Sequence, residues 1–293
     1  CRTENDHHLN QKLKKKLGLF CNIVTSHVFE SPDVKSIYEI PLVLHRQEFD
    51  TAIMNRLGLQ ADTSHKNIKH LEDFINTFKN SETEVTIAMC GKYNSLHDAY
   101  KSIIEAFIHA GVANNTGVNI KWIDTEELET ATDLAPYFEG VDGVLIPGGF
   151  GDRGIEGKIL SSQFARENKI PYLGICLGMQ CAIIDFSRNV CEMKNANSSE
   201  FKSRLKFPVI DLMHGQRNVT KKGATMRLGA YPCEVKSGTN AYRAYGKKRI
   251  TERHRHRFEV NNDFKDELVN SGLIISGLNN ELNLVEINYT YFR

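Results

Sequence analysis

A cysteine flanked by two glycines, where an apolar segment meets a helical pattern, constrains this chain more than any other feature. Residues 174–180 read GICLGMQ; the apolar segment 170–173 precedes them, and 179–186 carry a helical pattern. Gly174 and Gly178 stand two residues before and two after Cys176, the spacing of a nucleophile elbow, whose sharp turn leaves no room for neighbouring Cβ atoms. We therefore predict a strand-to-helix turn whose helix N-terminus favours a nucleophilic thiolate. The alternative is a buried structural cysteine.

A glycine-rich loop predicts the second half of the same site. Residues 141–157 read VDGVLIPGGFGDRGIEG, an apolar strand that runs into Pro147 and three glycines. Such a loop exposes backbone N–H groups, and a tetrahedral intermediate needs two of them aimed at its oxyanion. We assign one donor to the backbone of Gly149 or its neighbour and the other to Leu177. The loop lacks the Lys-Ser/Thr ending of a phosphate-binding P-loop and does not fit the dinucleotide fingerprint, so the two motifs together predict a thioester-forming acyl-transfer site.

Composition excludes several other classes of protein. The formal net charge of +1 argues against nucleic acid as a main partner, and no apolar run reaches the length of a membrane span. Seven cysteines without a C-x-x-C pair favour reduced thiols in the cytosol over a disulfide framework or a metal site. The one dense basic run, KLKKK at 12–16, is interpreted as a solvated helix face. These features indicate a cytoplasmic protein with no membrane partner.

The hydrophobic pattern predicts an α/β fold with a central, mainly parallel sheet flanked by helices. Strand patterns cover 85–90, 118–123, 143–147 and 172–176, and helix patterns separate them at 96–110, 126–138 and 155–168. Both glycine-containing loops then follow strand ends, where open α/β sheets place their ligands. Residues 1–57 are too few for a confident independent core, and 58–81 form a polar linker with helix at 67–78.

Several segments together resemble one enzyme family. The segments PGGFGDRGIEGK and PYLGICLGMQ are joined by NANSSEF (195–201), ATMRLGAYPCE (224–234) and ERHRHRFEVNN (252–262). They resemble the glutaminase half of the CTP synthases, which belong to the class I glutamine amidotransferases. CRTENDHH, LGLFCNI and SPDVKSIYEIPLVLH at the start resemble the last stretch of that family's synthetase domain. The resemblance implies a flavodoxin-like amidotransferase domain at 82–293, preceded by the tail of a second α/β domain at 1–57 and the linker at 58–81.

Substrate chemistry and the resemblance select the same side chains. Glutamine carries an α-ammonium and an α-carboxylate, so its pocket needs a carboxylate, a cation and an amide, which Glu200, Arg257 and Gln180 supply. Glu200 could instead be a surface carboxylate. Strand alternation puts Arg253, Arg255 and Arg257 on one face and His254 and His256 on the other, which surface charge alone could explain. The resemblance implies that glutamine is bound by Gly149, Phe150, Leu177, Gln180, Glu200 and Arg257.

The resemblance also implies the reaction and its partners. In the family, glutamine is hydrolysed at the cysteine, and ammonia passes to a synthetase site that uses ATP and Mg²⁺ to aminate UTP. GTP activates hydrolysis. We expect GTP to be recognised near Phe150, Arg153 and Glu156, with a lid at 226–229. This chain itself is expected to bind no cofactor or metal, and the family assembles as a homotetramer through the synthetase domain. Alternatives are the glutaminase of another biosynthetic pathway and a non-catalytic regulatory or assembly module.

The general base is the component that the sequence does not supply. Class I amidotransferases use a His-x-Glu pair near the C-terminus, and none of the eleven histidines offers that motif in a plausible place. His256 is not assigned this role because alternation puts it opposite Arg257. We therefore expect the catalytic pair beyond residue 293, no histidine within hydrogen-bond reach of Cys176, and little glutaminase activity in this chain alone. The stretch 211–223 is also shorter than the family's usual lid region.

Overall fold

The computed structural model describes residues 1–4, 8–60, 66–92, 96–212 and 226–290. They form two compact units, residues 1–84 with 106–117 and residues 85–105 with 118–293. The α-helices are α1 (Gln11–Cys21), α2 (Ile40–His45), α3 (Phe49–Leu57), α4 (Lys66–Lys79), α5 (Lys101–Ala113), α6 (Thr125–Thr130), α7 (Ile155–Glu167), α8 (Leu177–Asn189), α9 (Asn240–Tyr245) and α10 (Lys265–Asn270). The strands are β1 (Arg2–Thr3), β2 (Ser31–Pro32), β3 (Thr83–Gly91), β4 (Thr116–Asp124), β5 (Gly143–Ile146), β6 (Tyr172–Gly174), β7 (Asn197–Ser198), β8 (Pro208–Leu212), β9 (Arg227–Val235), β10 (Arg249–His256), β11 (Phe258–Val260), β12 (Ile274–Asn279) and β13 (Leu284–Tyr289). No described helix is both long and apolar enough to span a bilayer.

The first unit is a small helical assembly with a thin core. The buried apolar side chains among its described residues are Val28, Leu42 and Ile75. The linker helix predicted at 67–78 is present as α4. The KLKKK run lies on α1, where three of its lysines are exposed and Lys14 pairs with Glu30 at 3.2 Å, so the prediction of a solvated helix face is confirmed.

The predicted parallel sheet forms the centre of the second unit. Its strand order is β4-β3-β5-β6, and both the β3–β5 and the β5–β6 pairs are parallel. All four predicted strands are present. The strand predicted at 143–147 ends at Ile146 and the one at 172–176 ends at Gly174. Since Ile146 and Gly174 are register partners, the two loops that follow these strands start side by side.

The helix predictions hold where no residue interrupts the pattern. Helix α7 matches the prediction at 155–168, and α5 follows a 3₁₀ turn at His97–Tyr100. The single helix predicted at 126–138 is wrong. Helix α6 ends at Thr130 and a separate 3₁₀ turn covers Ala135–Phe138, because Ala131 is extended and the Asp133 carboxylate accepts the Ala135 N–H.

Two further sheets complete the second unit and were not predicted from the sequence. One has the order β10-β9-β12-β13 and the other the order β11-β8-β7. Helix α8 buries Cys181, Ile183, Ile184 and Phe186 in a cluster that also contains Ile210 and Val260 of the smaller sheet. The burial of these apolar side chains holds α8 in place, and with it Cys176, which immediately precedes the helix.

Candidate active site

Cys176 occupies a strained turn between β6 and α8. Its backbone has φ 55° and ψ −104°, a combination that residues other than glycine rarely adopt. A Cβ on Gly174 would lie 2.4 Å from the Gly178 carbonyl carbon, and one on Gly178 would lie 2.2 Å from the Ile146 oxygen. Both glycines are therefore required by close backbone contact, and the predicted strand-to-helix elbow is confirmed. Such local strain is typical of functional sites.

The glycine-rich loop runs directly beside the cysteine. The Ile175 N–H donates to the Ile146 oxygen at 2.9 Å, which ties the elbow to the end of β5. A Cβ on Gly148 would lie 3.3 Å from Cys176 Cβ and 3.8 Å from its sulfur, and one on Gly149 would lie 3.6 Å from Leu177 Cδ2. Leu177 is the first residue of α8, so its N–H has no acceptor within the helix. The two backbone segments assigned to the oxyanion therefore flank the thiol.

The predicted glutamine-binding side chains line one cavity with the thiol. The cavity measures about 70 Å³ and is lined by Gly149, Phe150, Cys176, Gln180, Glu200, Met226, Arg255, His256, Arg257 and Phe258. Each of the side chains proposed for glutamine except the buried Leu177 is in this set. Gln180 is itself buried, and its Nε2 donates to the Phe258 carbonyl at 2.9 Å. That bond fixes the segment that carries Arg257.

Glu200 supplies a half-buried carboxylate beside cationic groups. Burial raises its pKa, while the Gly151 N–H and the charges of Lys92 and Arg257 oppose the rise. Lys92 also donates to the Phe150 carbonyl, so it links the glycine loop to this carboxylate. Lys92 carried no motif in the sequence, and only the fold reveals its place. The interpretation of Glu200 as a plain surface carboxylate is wrong.

The alternation predicted for the RHRHR segment breaks at its last residue. Residues 253–256 alternate between exposed and half-buried on β10, but Arg257 lies at the bend between β10 and β11. The prediction that Arg257 faces away from His256 is therefore wrong, and both line the cavity. The Arg255 guanidinium carbon lies 5.3 Å from the centre of the Phe150 ring, within the range of a cation–π contact.

The expectation that no histidine reaches Cys176 is wrong. The His256 side chain hydrogen-bonds with Cys176 and with Glu259, whose Oε1 lies 3.1 Å from His256 Nδ1. Burial lowers the pKa of His256, but the hydrogen bonds with Cys176 and Glu259 and the negative charge of Glu259 raise it to about 10. Glu259 was not identified from the sequence, and its partner Arg227 was predicted only as part of the lid at 226–229; a side-chain hydrogen bond between β9 and β11 joins them.

Two of the three residues proposed to bind the effector, Arg153 and Glu156, already have ionic partners. Arg153 Nε lies 2.8 Å from Glu126 Oε1 and its Nη2 donates to the Lys92 carbonyl at 3.1 Å. Glu156 accepts two hydrogen bonds from Arg188, at 2.6 and 3.0 Å. Of the predicted lid, Met226 reaches the cavity, while the shortened stretch interpreted as a lid lies largely outside the described residues.

The seven cysteines are free, and several are poorly suited to act as nucleophiles. Burial raises the pKa of Cys90 and Cys181 to about 12 and that of Cys233 to about 11. It also raises the pKa of the half-buried Cys191. Since the thiolate is the nucleophile, these four thiols are deactivated, whereas Cys176 opens into a cavity.

Comparisons of sequence and of structure both relate this chain to CTP synthases and class-I glutamine amidotransferases. The family model of class-I glutamine amidotransferases matches residues 95–290, and that of the CTP synthase N-terminus matches residues 1–59. A CTP synthase of Caldanaerobacter subterraneus subsp. tengcongensis is 51% identical over 287 residues, which cover 98% of this chain and 52% of that protein. A CTP synthase of Chloroherpeton thalassium is 50% identical over 289 residues, or 98% of this chain and 51% of that protein. The chain thus spans about half the length of these relatives.

A solved structure is similar to most of the chain. The glutaminase domain of Trypanosoma brucei CTPS with bound acivicin superposes with a TM-score of 0.64 at 38% identity. The match covers 70% of this chain and 79% of that one.

Proposed function

The chain belongs to the CTP synthase family and carries its class-I glutamine amidotransferase domain, and from that premise we propose that it hydrolyses glutamine through a thioester on Cys176. The ammonia released would serve the ATP-dependent amination of UTP to CTP. The main support for this proposal is that Cys176, whose backbone is strained, lines the same cavity as Gln180, Glu200 and Arg257.

The cavity offers complementary charge for the two ends of glutamine. Arg257 would bind the α-carboxylate and Glu200 the α-ammonium, so that the side-chain amide extends toward Cys176. The sulfur would then attack the amide carbon, and the N–H groups of Gly149 and Leu177 would stabilise the oxyanion. Preorganised donors of this kind are worth about 10²- to 10³-fold in rate each. Phe150, which flanks the loop beside Arg255, would close the cavity.

The remaining parts of the proposal concern the whole protein. We assign residues 1–57 to the tail of the synthetase domain, 58–81 to a linker and 82–293 to the glutaminase domain, supported by the two family models. ATP, Mg²⁺ and UTP would bind to the synthetase part, which would also hold a homotetramer together. GTP would activate hydrolysis near Phe150, Arg153 and Glu156. Free thiols are typical of the cytoplasm, where we place the protein.

A glutaminase assay with matched variants tests this proposal. The contact between His256 and Cys176 removes the ground on which little activity was expected from this chain alone. We therefore expect the chain to release glutamate and ammonia from glutamine, and acivicin to block the reaction by labelling Cys176. Cys176→Ala should abolish both glutamine hydrolysis and labelling by acivicin. Cys181→Ala, which removes a buried thiol in the helix that follows Cys176, should keep both. Turnover that survives in Cys176→Ala would exclude the thioester route. A folded chain that neither hydrolyses glutamine nor takes up acivicin would instead be a regulatory or assembly module.

The choice of pathway needs a second assay. In a protein that joins this chain to the synthetase part of its relatives, UTP should be the acceptor of the ammonia. If the joined protein released ammonia but aminated a different acceptor, the chain would be the glutaminase of another biosynthetic route.

A further inference from the structure

An arginine at the end of α8 bridges two segments that border the glutamine cavity. Arg188 lies in the last turn of α8, and Glu156 lies in the first turn of α7, directly after the glycine-rich loop. The Arg188 guanidinium donates two hydrogen bonds to the Glu156 carboxylate, at 2.6 and 3.0 Å. The helix dipoles favour a cation at a C-terminus and an anion at an N-terminus. This pairing fixes the direction of the arginine side chain.

The third nitrogen of the same guanidinium holds the segment that leads to Glu200. Arg188 Nε donates to the carbonyl oxygen of Ala196 at 2.8 Å, and Ala196 is fully buried. A buried carbonyl needs a hydrogen-bond donor. Because the planar guanidinium presents its donors in a rigid fork, one side chain couples the position of Ala196 to that of Glu156.

The segment from Ala196 to Glu200 is short and closely bonded. Ser198 is buried, and its Oγ accepts the Glu200 N–H at 3.1 Å. The pairing of β7 with β8 is irregular between Asn197 and Ser198, so the strand ladder alone does not fix this segment. Strand β8 holds it on one side and Arg188 holds it on the other. A shift at Ala196 therefore moves the backbone of Glu200.

The position of Glu200 matters because its carboxylate is the anionic group of the proposed glutamine site. Glu200 lines the cavity together with Cys176 and Arg257. A carboxylate binds an ammonium group well only at hydrogen-bond distance and with suitable geometry. A small displacement of Glu200 would therefore weaken the binding of the α-ammonium group.

We propose that Arg188 is a positioning residue for glutamine selectivity, which holds the Glu200 carboxylate where the α-ammonium group of glutamine binds. This inference rests on the proposed glutamine hydrolysis. The described lining of the cavity does not include Arg188, so it acts through Glu200 and not by touching the substrate. Ligands that carry an α-ammonium group should depend on Arg188, whereas ligands without one should not.

Arg166 provides a matched control between the same two helices. It lies on α7 and donates to both oxygens of the Asp185 carboxylate on α8, each at 2.9 Å. Its side chain is 21% exposed, as is that of Arg188. Arg166 is absent from the described lining of the glutamine cavity. Arg166→Gln therefore removes an equivalent ion pair between α7 and α8 and leaves the Ala196 carbonyl bonded.

The test measures glutamine hydrolysis by the full chain and ligand binding by its Cys176→Ala form, in which bound glutamine is not turned over. The second ligand is glutaramate, which is glutamine without the α-ammonium group, and ligand-observed NMR titration gives both dissociation constants. We expect Arg188→Gln to raise KM and the Kd of glutamine by about 5- to 30-fold, below the roughly 10- to 100-fold of a charged hydrogen bond lost completely. The value of kcat should change less than about threefold, because binding lost equally from ground state and transition state raises KM alone.

Two further measurements show whether Arg188 acts through Glu200. The Kd of glutaramate should stay within about twofold in Arg188→Gln, and Arg188→Gln should add less than about twofold to the Kd of glutamine in Glu200→Gln, since residues that act through one contact are not additive. Arg166→Gln should leave these constants within about twofold. Arg188→Lys keeps the cation but not the planar fork, so it should give a smaller rise of the same kind and serves if Arg188→Gln does not fold.

Three results would overturn the inference. They are unchanged KM and Kd for glutamine in Arg188→Gln, an equal rise of Kd for glutamine and glutaramate, and equal effects of Arg188→Gln and Arg166→Gln. If the unsubstituted chain hydrolyses no glutamine while its Cys176→Ala form binds it, the proposed hydrolysis fails and the two Kd values still decide the role of Arg188. If the Cys176→Ala chain binds no glutamine, both proposals fail.

Discussion

Adding one methyl group at Gly178 should destabilise the second unit through the elbow. The new Cβ would lie 2.2 Å from the Ile146 oxygen and 3.0 Å from its carbonyl carbon, and both contacts are with backbone that cannot rotate away. Forcing extra volume into packed structure costs about 1–3 kcal/mol, with rigid contacts at the upper end. Alanine is favoured over glycine in a helix by about 1 kcal/mol, so Gly178→Ala should lose roughly 2 kcal/mol. For a chain of this size, that is a fall in Tm of roughly 4–8 °C.

Differential scanning calorimetry with a paired variant can measure this effect. Gly149→Ala is the control, because its Cβ would meet only Leu177 Cδ2 at an ordinary 3.6 Å. We expect its Tm to stay close to that of the unsubstituted chain. If Gly178→Ala were as stable as Gly149→Ala, helix propensity would outweigh the contact, and the close packing of the elbow against β5 would be wrong.

Further predictions concern the reaction. In a protein that joins this chain to the synthetase part of its relatives, Cys176→Ala should abolish CTP synthesis from glutamine and spare synthesis from added ammonia; equal loss of both would make the residue structural. Arg257→Ala and Glu200→Gln should raise KM for glutamine by roughly 10- to 100-fold, the value of a charged hydrogen bond, and an unchanged KM would remove that residue from the substrate site. Because burial raises the pKa of Glu200, its charge is lost at a higher pH than usual, so KM should rise as the pH falls and Glu200→Gln should flatten that dependence. Arg153→Ala should lower activation by GTP and leave basal glutamine hydrolysis intact, and an unaltered GTP response would separate Arg153 from the effector.

Local sequence patterns predicted the parts of the site that neighbouring residues determine. Gly174 is required by a backbone contact with Gly178 inside the same turn, so the elbow could be identified from seven residues. The parallel strands were equally visible from their apolar runs, and β5 is buried along its whole length. Together, these patterns predict that the glycine loop lies beside the thiol.

The partner of the cysteine could not be found in this way. Period-two alternation puts His256 and Arg257 on opposite faces only while the strand continues, and nothing local announces the bend after His256. The contact with Glu259 depends on that bend, and the contact of Glu259 with Arg227 depends on antiparallel pairing across a long stretch of chain. The helix expected at 126–138 failed for a related reason, since Asp133 competes for a backbone N–H.

Trapping the covalent intermediate would show whether glutamine hydrolysis passes through Cys176. The chain would be mixed with glutamine, quenched in acid within the first turnovers, digested, and examined by mass spectrometry. We expect a γ-glutamyl adduct on the peptide that contains Cys176, and no such adduct in Cys176→Ala. Glutamate formed at the full rate with no adduct on Cys176, or with the adduct on another thiol, would contradict a thioester route through Cys176.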